Sequence, residues 1–167
     1  MDLSALGNDI ERVVVSQEQI QNRLKELAAQ VDKDYAGRDL ILVGVLKGAV
    51  MAMADFSRYL QRHVDMDWMA VSSYGAGTKS SGVVRILKDL DSDILGREVL
   101  IVEDILDTGL TLSWLTENLL SRGAKSVSVL TVLRKPDAAT VKVEAKYVGF
   151  DRYKFGLFLS FDVLKSF

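Results

Sequence analysis

The chain has 167 residues, 49% of them hydrophobic and 26% charged, with a formal net charge of −2. That length suits one domain with a substantial core, and the slight acidic balance argues against nucleic acid as the main partner, since backbone-phosphate binding needs a clustered basic surface. The absence of cysteine excludes disulfides and thiolate metal sites, the apolar runs are too short to span a membrane, and Met1-Asp2-Leu3-Ser4 lacks the basic start and apolar core of a signal peptide, so a cytoplasmic location is expected.

Ser16-Gln17-Glu18-Gln19 reads as a capping box, and Ile20, Leu24, Leu27, Ala28 and Val31 then recur on one helical face. This first helix is expected to end near Tyr35-Ala36-Gly37. Residues 40–46 form a continuous apolar run, hence a buried strand, broken by Lys47-Gly48. A helix is expected over 49–61, with Met51 and Met53 as packing residues, and His63 beyond it on the surface without chemistry. Residues 64–74 read as a strand. The stretch 72–82 holds Gly75, Gly77, Gly82 and four serines, the composition of an exposed, mobile loop. A strand over 83–88 leads back through the acidic turn Asp89-Leu90-Asp91-Ser92-Asp93.

The next segment carries the most information. Val99-Leu100-Ile101-Val102 leads into Glu103-Asp104, followed by Ile105-Leu106-Asp107-Thr108-Gly109-Leu110-Thr111. The apolar run reads as a strand buried on both faces and ending at the acidic pair, which places both carboxylates at the ligand-binding carboxyl edge of an α/β sheet. The turn after it can wrap an anion with backbone N–H groups at a helix start, with Thr108 and Thr111 adding hydroxyls. A helix over 110–120 stops at Gly123. Strands follow over 126–133, 147–150 and 155–161. The alternation implies a mainly parallel sheet flanked by helices, with right-handed crossovers and an antiparallel flap over 64–88.

The acidic pair and its turn resemble the phosphoribosyl-diphosphate signature of the phosphoribosyltransferases. Companion motifs stand in order: Leu42-Val43-Gly44-Val45-Leu46-Lys47-Gly48, Ala70-Val71-Ser72-Ser73-Tyr74-Gly75, Arg85-Ile86-Leu87-Lys88-Asp89-Leu90, Leu133-Arg134-Lys135-Pro136 and Lys146-Tyr147-Val148-Gly149-Phe150. From about Asp9 to Phe150 the chain resembles the bacterial hypoxanthine and hypoxanthine–guanine phosphoribosyltransferases of the type I family. The tail departs from the family pattern. Asp151-Arg152-Tyr153-Lys154-Phe155 is one residue shorter than usual and lacks its proline, and the glycine, tyrosine and arginine expected further on are missing. Phe155 and Asp162 keep the family's seven-residue spacing.

The resemblance implies the type I fold over 1–167, with a small hood from the chain ends. It implies transfer of the phosphoribosyl group of 5-phosphoribosyl 1-diphosphate to hypoxanthine or guanine, with Mg2+, in a homodimer or homotetramer. Glu103 and Asp104 would hold the ribose hydroxyls, directly or through magnesium and water; otherwise they merely end a strand. Asp107 would take the proton from purine N7, against the alternative of a helix cap. Thr108, Gly109, Leu110 and Thr111 would cradle the 5′-phosphate. Lys47 and Gly48 would hold pyrophosphate, with a cis peptide before the lysine. Lys135 would donate to the purine 6-oxo group, which disfavours adenine; a surface lysine is the plain alternative. Phe155 would stack on the base, Gly156 would line the same pocket, and Asp162 would stand beside the metal. Ser73 and Tyr74 would close over the reaction centre from the flap. Two other readings stay open: a nucleotide-sensing regulator on the same fold, and another base such as xanthine or uracil. Uracil has no N7, which would leave Asp107 without its role.

Overall fold

The computed structural model describes residues 15–73 and 84–151. The flap tip with Tyr74, the hood, and the last segment with Phe155, Gly156 and Asp162 lie outside the described residues.

Helix α1 (Gln17–Asp34) opens on the expected capping box: Ser16 Oγ accepts from Gln19 N–H, and the Gln19 side chain accepts from Ser16 N–H. Leu24, Leu27, Ala28 and Val31 are its buried stripe. Strand β1 (Leu40–Leu46) is buried along nearly its whole length. Helix α2 (Ala49–Ser57) stops short of the expected residue 61. Tyr59 and Leu60 N–H turn back to Phe56 and Ser57 carbonyls, while Gln61 N–H is captured by Asp32 of α1 at 2.9 Å. Two of these donors thus close local turns of three residues and the third goes to a tertiary partner, so none extends the helical ladder. Met53 is buried and His63 is exposed, as expected.

Strands β2 (Asp65–Ser73) and β3 (Val84–Lys88) pair antiparallel, which gives the base of the expected flap. Ser72 and Ser73, expected in the loop, continue the ladder opposite Arg85 and Val84. Strand β4 (Glu98–Leu106) also corrects the sequence reading. It does not end at the acidic pair: Ile105 and Leu106 stay in register with Leu133 and Arg134 of β5 (Ser126–Arg134), so the neighbouring strand carries the ladder past Asp104. Helix α3 (Leu110–Ser121) lies between β4 and β5, and β6 (Tyr147–Asp151) closes the described chain.

The six strands run β3-β2-β1-β4-β5-β6, and all but β3 are parallel. Helices α1 and α2 bury Leu42, Leu100, Val102, Leu130 and Val132 on one face. Helix α3 covers Ile41, Val43, Val99, Ile101 and Val129 on the other. Both faces are thus dry, which is why these strands read as continuous apolar runs rather than alternating ones. Arg23 of α1 reaches across to the Val148 and Gly149 carbonyls and ties β6 to the first face.

Strand order decides where a ligand can sit. The chain leaves β1 through α2 toward β2 on one side, and leaves β4 through α3 toward β5 on the other. The sheet's switch point lies between β1 and β4, where the two outgoing loops diverge and leave a crevice at the carboxyl ends of the strands. Those loops are Lys47-Gly48 and 107–109.

Candidate active site

Glu103 and Asp104 stand side by side near the carboxyl end of β4, and alternation along a strand sends them to opposite sides. Asp104 is buried and turns toward the loop after β1. A Cβ added to Gly48 would lie 2.8 Å from Asp104 Oδ2, so any larger residue would have to push that buried carboxylate aside. The peptide bond between Leu46 and Lys47 is cis, and Lys47 is exposed beside the crevice. Asp104 Oδ1 accepts from Ile105 N–H at 2.8 Å. Burial raises its carboxyl above the ordinary aspartate value, opposed by backbone N–H groups at Ile105 and Asp104.

Glu103 is partly buried as a residue, yet its Oε2 is sealed from water and has no hydrogen-bond partner. Burial, and then the neighbouring Asp104 charge, push its carboxyl well above the ordinary glutamate range. A buried carboxylate normally comes with a cation or several donors. This pair has instead the chemistry of a place that a cation or sugar hydroxyls would complete. Hard oxygen donors fit Mg2+, which is commonly held by one or two carboxylates plus substrate phosphates rather than by an all-protein cage. Among the described residues no cluster of three or more His, Cys, Asp or Glu side chains could cage a metal unaided.

Asp107 and Thr108 follow β4 on the exposed turn, and Gly109 starts α3 at φ +82, a left-handed backbone that favours glycine. Leu110 is exposed, with its N–H donating to Thr108 Oγ1 at 3.5 Å, and Thr111 is partly buried at the helix start, where N–H groups without intrahelical partners suit an anion. Lys135 arrives from the end of β5. Its backbone N–H donates to Leu106 O at 2.9 Å, and its Nζ stands 3.5 Å from Asp107 Oδ2. Two residues expected to meet one base are therefore brought together from adjacent strands. Just before Lys135, Arg134 makes a two-pronged ion pair with Asp151 of β6, at 2.6 and 2.8 Å.

Lys47, Gly48, Glu103, Asp104, Asp107, Thr108, Gly109, Leu110, Thr111 and Lys135 all gather at the carboxyl edge of the sheet. Ser73 ends β2, next to β1. The sequence reading missed Thr140 and Val141. Both donate to the Thr108 carbonyl, and Val141 O faces Gly109. Nothing in Ala139-Thr140-Val141 marks such a role; only the return of the chain from Lys135 toward β6 brings it there.

Residues 16–160 match the phosphoribosyl transferase domain family. The chain is 56% identical over 149 residues to a hypoxanthine-guanine phosphoribosyltransferase of Mycobacterium bovis, covering 86% of this chain and 74% of the relative. It is 49% identical over 146 residues to the enzyme of the same name from Streptococcus thermophilus, covering 87% and 81%. A crystal structure of a hypoxanthine phosphoribosyltransferase from Staphylococcus aureus superposes with a TM-score of 0.87 at 46% identity, covering 92% of this chain and 83% of that one.

Proposed function

The chain belongs to the phosphoribosyl transferase family, and on that premise we infer that it salvages purines. It transfers the phosphoribosyl group of 5-phosphoribosyl 1-diphosphate to hypoxanthine or guanine, giving IMP or GMP and pyrophosphate. Relatives named for this reaction at 49–56% identity support the reading.

The observation that carries the base class is the 3.5 Å approach of Lys135 Nζ to Asp107 Oδ2. A 6-oxopurine presents O6 and N7 side by side on one edge. A cationic donor next to a carboxylate acceptor matches that edge when N7 bears the proton. Lys135 donates to O6, and Asp107 accepts the N7 proton as N9 attacks C1 of the ribose. Adenine would turn its amino group toward the lysine, donor against donor.

The remaining residues position and neutralise. Thr108 to Thr111 hold the 5′-phosphate at the start of α3. Lys47 and the Gly48 backbone hold pyrophosphate from the other side of the crevice. Glu103 and Asp104 hold the ribose hydroxyls, and with Asp162 would hold Mg2+. When bound, that ion neutralises charge on the departing pyrophosphate. By the family resemblance Phe155 and Gly156 would line the base site, and Ser73 and Tyr74 would close over the centre, excluding water while positive charge develops on the sugar. The enzyme works in the cytoplasm as a homodimer or homotetramer.

Initial rates with hypoxanthine, guanine, xanthine, adenine and uracil, each with phosphoribosyl diphosphate and magnesium, test this reading. Turnover of hypoxanthine or guanine far above the other three is expected. Preference for uracil or adenine would overturn the base assignment, and no turnover of any base would overturn the enzyme.

A further inference from the structure

The segment leading into β6 grips the turn after β4 at a single atom. The Thr108 carbonyl accepts from Thr140 N–H at 3.0 Å, from Val141 N–H at 3.2 Å and from the Thr140 hydroxyl at 3.1 Å. Three donors on one carbonyl fix the plane of the Thr108–Gly109 peptide. That peptide is trans, the cis bond being Leu46–Lys47. Its N–H therefore points opposite to its carbonyl, away from the 140–141 segment. Gly109 then turns through φ +82 into α3, its carbonyl accepting from Ser113 N–H at 2.9 Å. The two loops touch without slack: a Cβ on Gly109 would lie 2.7 Å from Val141 O. The same return segment begins at Lys135, whose N–H holds Leu106 O. The turn over 106–109 is thus held at both ends by one loop.

Thr140 is exposed, so water could serve the Thr108 carbonyl in its place. The hydroxyl bond therefore supplies orientation rather than relief of a buried polar group. Oriented backbone N–H groups at a helix start are what an anion site is made of.

We propose that Thr140 is a positioning residue for the 5′-phosphate of phosphoribosyl diphosphate: it touches no substrate, and by fixing the Thr108 carbonyl it aims the Gly109 N–H at the phosphate. This rests on the reading of Thr108 to Thr111 as the phosphate cradle. Thr140→Val keeps the shape and both backbone donors but removes the hydroxyl, whereas Thr140→Ser keeps the hydroxyl. Three measurements on the full chain separate the possibilities: calorimetric titration with magnesium phosphoribosyl diphosphate, the Gly109 amide shift in NMR, and KM for each substrate. The Val variant should bind phosphoribosyl diphosphate about five-fold more weakly, the scale of one hydrogen bond. Its Gly109 amide should shift before ligand is added, with the KM for hypoxanthine and the melting temperature unchanged. The Ser variant should restore wild-type affinity. Wild-type affinity in Thr140→Val, or equal loss for both substrates, would overturn the proposal alone. A wild-type chain that does not bind phosphoribosyl diphosphate would overturn the functional reading and this proposal with it.

Discussion

Strand β4 carries a buried carboxylate at its amino end and a buried carboxylate oxygen at Glu103, three residues before its carboxyl end, and the two are treated in opposite ways. At the amino end, Glu98 is only 4% exposed and fully partnered. Its Oε2 accepts from the Ser126 hydroxyl, with Lys125 Nζ at 3.2 Å and Arg38 Nη1 at 3.6 Å from Oε1. The Ser126 bond chiefly, then the two cations, hold its carboxyl below the ordinary glutamate range against the cost of burial. At the carboxyl end, Glu103 has an oxygen sealed from water without a partner, and its neighbour is a second carboxylate. On the proposed function, the sheet supplies counter-charges where only stability is at stake and withholds them beside the crevice that takes the ligand. Fold and function are thus separated along one strand.

The largest expected effect belongs to the crevice end. Asp107→Asn should lower turnover by ~100-fold or more, the usual scale for losing a general base. It should leave the melting temperature nearly unchanged, since Asp107 caps no helix and its 3.5 Å ion pair with Lys135 is solvent-exposed and contributes little to stability. Near-wild-type single-turnover rates in the folded variant would leave Asp107 as a plain turn residue, since Gly109 and not Asp107 stands at the start of α3. Lys135→Gln comes next. It should raise the KM for hypoxanthine by about ten-fold or more while the affinity for phosphoribosyl diphosphate holds, because a charged donor aimed at the base is lost. Equal losses for both substrates would make Lys135 a general folding or phosphate residue.

The amino end should answer only in stability. Glu98→Gln should cost about 1–3 kcal/mol of unfolding free energy, the scale for a buried charged hydrogen bond, with little of it from the exposed Lys125 and Arg38. Its kcat and both KM values should stay at wild type below the melting range. The sign with pH follows from the lowered carboxyl. Glu98 stabilises the fold above its unfolded value of about 4.3 and loses that contribution as pH falls toward its folded value. Urea midpoints of Glu98→Gln should therefore converge on wild type as pH drops below that value, and a constant gap would contradict the assignment.

Much of the fold was legible in the sequence, for a physical reason. The runs at 40–46 and 99–102 are apolar on every residue because helices cover both faces, and that pattern survives without knowledge of the neighbours. Ser16 and Gln19 announce α1 because a capping box is local. The corrections draw on long-range partners. Helix α2 ends early because Asp32 takes the Gln61 N–H. Strand β4 runs past Asp104 because β5 continues beside it. The types of the site residues could be read from motifs, whereas the isolation of Glu103 Oε2 and the hold of Thr140 on Thr108 exist only once distant segments meet.

The contrast between the two ends is tested most directly by melting wild type and Glu103→Gln with and without magnesium phosphoribosyl diphosphate. Because burial raises the folded-state value of Glu103, the free protein is favoured below the ordinary glutamate value and loses stability as pH rises from there toward the raised one. At neutral pH the uncharged Gln removes that penalty. Glu103→Gln is therefore expected to melt at or above wild type without ligand and to show little of the upward shift that the ligand gives wild type. A free Glu103→Gln protein that melts well below wild type, or one that gains the full ligand shift, would contradict the account and return Glu103 to the structural role that Glu98 plays.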